Sequence, residues 1–138
     1  MKVEVFQAKD ATLITKADSN HWIVMDSVKQ FGGSEAATKP MEMVLMALGG
    51  CASMDVISLL KKMKVGYTGY RVEINGERGE EYPKPFVKID VDFYFKGENL
   101  EESRDKIEKA VKLSKEKYCG VADMLSKSAE MIYNIHFE

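Results

Sequence analysis

Cysteine and histidine are both scarce in this chain, with two of each among 138 residues. The cysteines, Cys51 and Cys119, have 67 residues between them, so they form neither a Cys-x-x-Cys redox motif nor a zinc knuckle. His21 and His136 lie further apart still and have no third ligand at metal spacing, so each reads as a strand residue. Excess charge is missing too. The 20 basic and 22 acidic side chains leave a net charge of −2, which gives no electrostatic case for nucleic acid or an anionic membrane surface. No repeat, low-complexity tract or Pro/Gly/Ser-rich linker divides the chain, and residues 1–138 read as one domain. The start, "MKVEVFQAKDATL", lacks the apolar core of a signal peptide. The most apolar stretch, Met43 to Met54, is 12 residues long and meets Asp55, whereas a membrane span needs about 20. These absences predict a cytoplasmic protein with no nucleic-acid or membrane partner.

What is present is a globular composition, 45% hydrophobic and 30% charged, enough to bury a core without staples. The segments "KVEVFQA", "ATLITKA" and "HWIVMDS" are β-rich and separated by polar breaks, which predicts a meander of three strands. A loop with Gly32-Gly33 follows, and a long helix starts near Pro40, whose fixed φ suits a first turn. Apolar residues go almost all the way round that helix, which predicts burial on most sides. A domain this small rarely encloses a helix so fully, so a second subunit covering one face is expected. Beyond Gly66 the period becomes two: Tyr70, Val72 and Ile74 alternate with polar residues, as do Val87, Ile89, Val91, Phe93 and Phe95. A second helix is expected from an Asn99 N-cap, with Glu102 three residues on, to about Tyr118. A short helix after Cys119-Gly120 and a closing strand, "MIYNIHFE", complete the order βββ-α-ββ-αα-β, an α+β class.

The thiols sit in unlike places. Cys51 lies in mid-helix, where apolar neighbours and Asp55 one turn on would raise its pKa unless a cation arrives from elsewhere in the fold. Gly49 and Gly50 before it cost about 1 kcal/mol each relative to alanine in a helix. Close packing of another backbone or access for a small substrate would explain them. Cys119 lies between two helices, near free N–H groups and near Lys115 and Lys117, a position suited to an exchanging thiol. Buried free thiols and a transient disulfide pair both fit these residues. The nine methionines suit an adaptable apolar core or pocket, and those of the long helix (Met41, Met43, Met46, Met54) either pack or line an apolar channel. Phe6, Trp22 and Tyr133 read as core or interface aromatics.

The stretch "TKPMEMVLMALGGCASMDVISLLKKM" resembles the central-helix signature of the OsmC/organic hydroperoxide resistance superfamily, particularly its small OsmC-like branch. The stretch "SKEKYCGVADMLSKSAEMIYNI" resembles the family's second-cysteine segment and final strand. A proline 11 residues before a Gly-Gly-Cys, with a later Tyr-Cys before a terminal strand, carries the likeness over essentially the whole chain. The resemblance implies an OsmC-like fold with the long helix packed between the sheets of an intertwined homodimer. It also implies thiol-dependent reduction of organic hydroperoxides, with Cys51 attacking, Cys119 resolving through a transient disulfide, and an external dithiol resetting the pair. No metal or organic cofactor is implied.

Two departures qualify the activity. Characterised peroxidases of the family use an arginine from the N-terminal strands and a glutamate next to the helix proline. Here no arginine precedes Arg71, and Met41 follows Pro40, with Glu42 one residue later. That shift turns the side chain by about 100° and leaves it about 13 Å along the axis from Cys51. Glu42 is therefore a candidate catalytic carboxylate only if it reaches a cysteine across the dimer. Otherwise it is a first-turn carboxylate favoured by the helix dipole. Lysine can supply charge in place of arginine but not the bidentate fork. Arg71, Arg78 and Arg104 are the remaining arginine cations. The alternative is a non-enzymatic dimer that binds a small hydrophobic ligand or senses oxidants.

Overall fold

The alternating residues at the start of the chain form strands in the computed structural model, which describes Met1–Glu138. The chain resolves into two units, Met1–Val44 and Leu45–Glu138. In the first, β1 (Val3–Lys9), β2 (Thr12–Ala17) and β3 (Trp22–Met25) form the expected antiparallel meander, in the order β1-β2-β3. Asp10 and Asn20 adopt positive φ at the two turns, the left-handed conformation that Asn and Asp tolerate best after glycine. His21 immediately precedes β3. Every residue of β1 is exposed, and Phe6 and Trp22 form a tilted aromatic pair at the surface of this unit.

The loop after β3 is organised by Asp26, whose residue is only 2% exposed. Its carboxylate accepts hydrogen bonds from the Ser27, Ser34 and Ala36 N–H groups and from the Ser34 hydroxyl, which holds at 2.7 Å. These bonds hold the acid well below the ordinary carboxylate range, the Ser34 hydroxyl contributing most. A buried charge of this kind is tolerated because several donors replace the water it lost.

The long helix α1 (Pro40–Lys62) is 23 residues, longer than the apolar run read from the sequence and long and apolar enough to cross a membrane by length and composition. Only one stripe of it, Leu48, Ala52, Val56 and Leu60, is buried, so the all-round burial expected from its composition does not occur within one chain. The stripe faces the second sheet. Tyr70 Oη and Ser53 Oγ lie 3.1 Å apart, and Ile74 lies under Gly49. That sheet has the order β4-β5-β6, built from β4 (Gly69–Arg78), β5 (Phe86–Lys96) and β6 (Glu130–Phe137). β4 and β5 are antiparallel, and β5 and β6 are parallel with Val91 beside Tyr133 and Phe93 beside Ile135.

Period-two alternation puts Ile89, Val91, Phe93 and Phe95 in the core of this unit, while Val87, on the same register, is left exposed near the strand's start. The opposite face carries Arg71 over the Tyr94 ring, Tyr94 stacked on His136, and His136 Nε2 2.8 Å from Asp92.

A parallel pair needs a crossover, and here the crossover is helical. It differs from the sequence expectation at both ends. Asn99 does stand at an N-cap position, but of a 3-10 turn (Leu100–Ser103) that comes before α2 (Arg104–Leu113), and with φ at +54° its side chain caps nothing. Helical backbone does run to Tyr118, but α-type bonding stops at Leu113 and Ser114–Tyr118 form a π turn closed by a 2.9 Å bond from the Cys119 N–H to the Ser114 carbonyl. Such turns insert a residue into a helix and occur often at functional sites. α3 (Gly120–Ser126) follows and leads into β6.

Candidate functional site

The crossover brings Cys119 back to α1. Sγ of Cys51, Sγ of Cys119 and a carboxylate oxygen of Asp55 all lie within 4.8 Å of one another. Two of the three come from one helix: residues four apart share a face, so Cys51 and Asp55 project together. The third comes from the start of α3, whose N-cap is Cys119. In the sequence Asp55 reads only as a charge acting on Cys51. Its i,i+4 spacing was the available signal that it belongs beside the thiol.

Ser114 ties the three together. Its hydroxyl lies 3.3 Å from Asp55 Oδ2 and 3.5 Å from the Ala52 carbonyl, while its own carbonyl receives the Cys119 N–H. The residue is 1% exposed, so these contacts replace solvent. Nothing in the spacing of the sequence marks Ser114, because its partners are 59 and 62 residues away.

Cys119 is 3% exposed, whereas Cys51 is half-buried. Burial, followed by the neighbouring Cys51 thiol, pushes the Cys119 thiol up to about 11, and the Ala122 N–H, 3.4 Å from its Sγ, offsets only part of this. The α3 N-terminus thus supplies the donor that the sequence suggested, but desolvation outweighs it.

Tyr133 stands next in the arrangement. Its Oη is buried without a hydrogen-bond partner, and burial, then the Cys119 charge, raises the phenol to about 12. Its ring stacks on Phe93 and carries the Lys115 ammonium at 4.7 Å. A cleft of about 380 Å³ lined by Lys115, Lys117, Tyr118, Cys119 and Asp123 approaches from the crossover side. A more voluminous cavity, about 660 Å³, lies instead at Tyr67, Thr68, Lys96, Glu98 and Glu138 and includes none of these residues.

The three arginines considered as activating cations are engaged elsewhere. Arg71 pairs with Glu73 and Glu138 on the sheet's outer face, Arg78 donates to the Lys84 carbonyl, and Arg104 binds Glu101. Glu42, in the first turn of α1, accepts the Lys39 N–H at 2.9 Å and lies 3.4 Å from the Lys39 ammonium. The first of these bonds is the main cause lowering its pKa. It is half of a capping box, with the residue three positions into the helix satisfying the donor before it.

An α1 helix with a mid-helix thiol, laid on a β4-β5-β6 sheet whose crossover delivers a second thiol, defines an α+β thiol protein. The model of the OsmC-like protein family matches residues 32–134. This chain belongs to that family. It is 37% identical to Protein YhfA of Escherichia coli strain K12 over 134 residues, 97% of this chain and 96% of that one. Among solved structures it is similar to a hypothetical protein from Aquifex aeolicus, at 29% identity and a TM-score of 0.84, covering 99% of this chain and 95% of that one. The fold is shared with an organic hydroperoxide resistance protein of Legionella pneumophila, at 11% identity and a TM-score of 0.71, covering 98% and 95% of the two chains.

Proposed function

We propose that this OsmC-like protein is a dithiol redox protein that reduces organic hydroperoxides. The observation that carries the reading is the proximity of the Cys51 and Cys119 sulfurs, within 4.8 Å across the crossover. In the first step the Cys51 thiolate attacks the outer oxygen of the peroxide. The O–O bond breaks, Cys51 becomes a sulfenic acid, and the alkoxide leaves as the alcohol after taking a proton. Cys119 then attacks the sulfenic sulfur, forming the disulfide and releasing water. An external dithiol returns both cysteines to thiols and is itself oxidised to a disulfide.

The difference in exposure supports the assignment of roles. A peroxide reaches half-buried Cys51 before it reaches Cys119, and a thiol raised to about 11 is a poor first nucleophile. Met54, exposed on α1 one turn on from Cys51, suits an apolar peroxide better than a polar one.

The working unit in this reading is a cytoplasmic homodimer. α1 leaves Met54 76% exposed, with exposed Ile57 one turn on and exposed Met46 further back in the helix, and large exposed apolar surface of this kind marks an interface. A second copy is the occupant that also suits Glu42. To act on a partner's thiol, that carboxylate would have to leave Lys39, which currently holds it.

A specific observation favours the second reading, an oxidant sensor or ligand-binding dimer: no basic side chain forms an ion pair with Asp55, and no arginine is free to stabilise a Cys51 thiolate. The test is to give fully reduced protein one equivalent of cumene hydroperoxide, with hydrogen peroxide in parallel, and to count free thiols against time. Fast loss of both thiols with the organic peroxide, absent in Cys51→Ser, is expected. Loss at the rate of an ordinary free thiol would reject the peroxidase and leave the sensor or binding dimer.

A further inference from the structure

We propose that Cys51, Asp55 and Cys119 form a binding site for a soft divalent cation of the zinc type, with two thiolates and one carboxylate as ligands and water in the fourth position. The inference does not rest on the peroxide reading, because it needs only the reduced thiols and their geometry.

The donor set and its spacing come first. Three donor atoms lie within 4.8 Å of one another. Around a tetrahedral zinc with sulfurs at about 2.3 Å, two thiolates stand about 3.8 Å apart. Closing onto an ion therefore takes donor-atom shifts of about 1 Å. Two sulfurs with one oxygen is a donor set that favours zinc-like ions over magnesium or calcium, which prefer oxygen throughout.

The support around the donors is the second argument. Ser114 Oγ, itself buried, donates to one Asp55 oxygen and leaves the other free, and its carbonyl fixes the Cys119 backbone. The Ala122 N–H points at Cys119 Sγ. Hydrogen bonds that orient ligands from behind are a regular part of metal sites, and their loss typically lowers affinity 10- to 100-fold. Cys51 and Asp55 remain half-buried, which leaves a way in from solvent.

Charge is the third. With both sulfurs ionised the group carries three negative charges, and the arginines that might have balanced them are committed elsewhere. The Lys115 ammonium lies over the Tyr133 ring instead. A divalent ion supplies the missing cation. As it binds, each thiol gives its proton to solvent and the site retains one net negative charge. The oxidised disulfide has no thiolate to offer, so binding and disulfide formation exclude each other.

Cobalt(II) is the probe, added to fully reduced, folded protein. We expect one cobalt per chain, with a thiolate-to-cobalt charge-transfer band in the near ultraviolet and tetrahedral d–d absorption, both removed by one equivalent of zinc. The band should be absent in Cys51→Ser and in Cys119→Ser, with circular dichroism showing that each variant is folded. Asp55→Asn and Ser114→Ala should keep the band but bind zinc at least 10-fold more weakly. Equilibrium dialysis with zinc alone should find one ion on reduced protein and none on the disulfide form. Absence of the band from reduced protein, its survival in either serine variant, or unchanged zinc affinity in Asp55→Asn would overturn the site. None of these outcomes depends on peroxide turnover, so this site and the peroxidase reading fail independently.

Discussion

Asp26 is where the chain stakes most on one side chain. Its carboxylate is buried and bound by four donors spread over Ser27, Ser34 and Ala36, so the conformation of the whole loop depends on it. These donors favour the ionised form, and the acid's pKa in the folded protein therefore lies below its ordinary value of 3.8. The stabilisation is complete above that value and disappears as pH falls through the lower, folded one. Wild-type protein should accordingly lose thermal stability below about pH 4. Asp26→Asn should be less stable at pH 7, and its deficit should shrink as the pH is lowered, because the asparagine cannot be protonated. Thermal midpoints measured from pH 7 to pH 3 check this. Parallel curves for the two proteins would show that Asp26 does not organise the loop.

At the scale of the element, α1 shows why two adjacent glycines need separate accounts. A methyl group at Gly49 would stand 3.1 Å from Ile74 Cδ1, whereas one at Gly50 meets nothing within 4 Å. Close packing on β4 therefore explains the first glycine and leaves the second unexplained within a single chain. Helix propensity alone favours alanine over glycine by about 1 kcal/mol. Gly49→Ala should forfeit most of that gain as Ile74 shifts aside. Gly50→Ala should gain it in full if the face is open to water. If a second copy approaches there, Gly50→Ala should instead weaken self-association. Denaturant unfolding together with sedimentation of both variants separates these outcomes. The π turn is the other informative element, because its extra residue lets Ser114 face α1 while Cys119 starts α3.

Large apolar side chains stay exposed in each of the two units. Met46, Met54 and Ile57 are exposed on α1, while Val3, Val5, Phe6, Trp22, Ile23 and Val24 are exposed on the first sheet. Monomeric proteins rarely carry contiguous exposed apolar patches beyond a few hundred Å². The buried stripe of α1 and the core of β5 do not depend on these residues. If a second copy covers this face of α1, as proposed above, Met54→Asp with Ile57→Asp should yield a folded monomer. Sedimentation velocity is the measurement. A wild type that sediments as a monomer at micromolar concentration would rule out the dimer.

Much of this protein could be read from residues in order. The strands of both sheets, the long helix and the α+β class were legible because hydrophobic period and turn residues are local properties. So was the candidate pair Cys51 and Cys119, through the motifs around each. The errors fell where local signals compete. Asn99 and Glu102 have the spacing of a capping box, yet Asn99 sits in the left-handed region and a 3-10 turn begins the helix. The helical pattern through Tyr118 conceals a π turn, since a single inserted residue barely alters composition.

What the chain alone determined is which segments form strands and helices and which side chains are thiols. Their meeting is a different matter, because Ser114 touches Asp55, 59 positions away in numbering, and no local pattern records such a distance. Only the folded crossover brings Cys119 to Cys51 and Asp55, removes water from Cys119 and raises its pKa. Electrostatic and donor-set chemistry depends on separations in space, and those exist only once the parallel β5–β6 pair has closed.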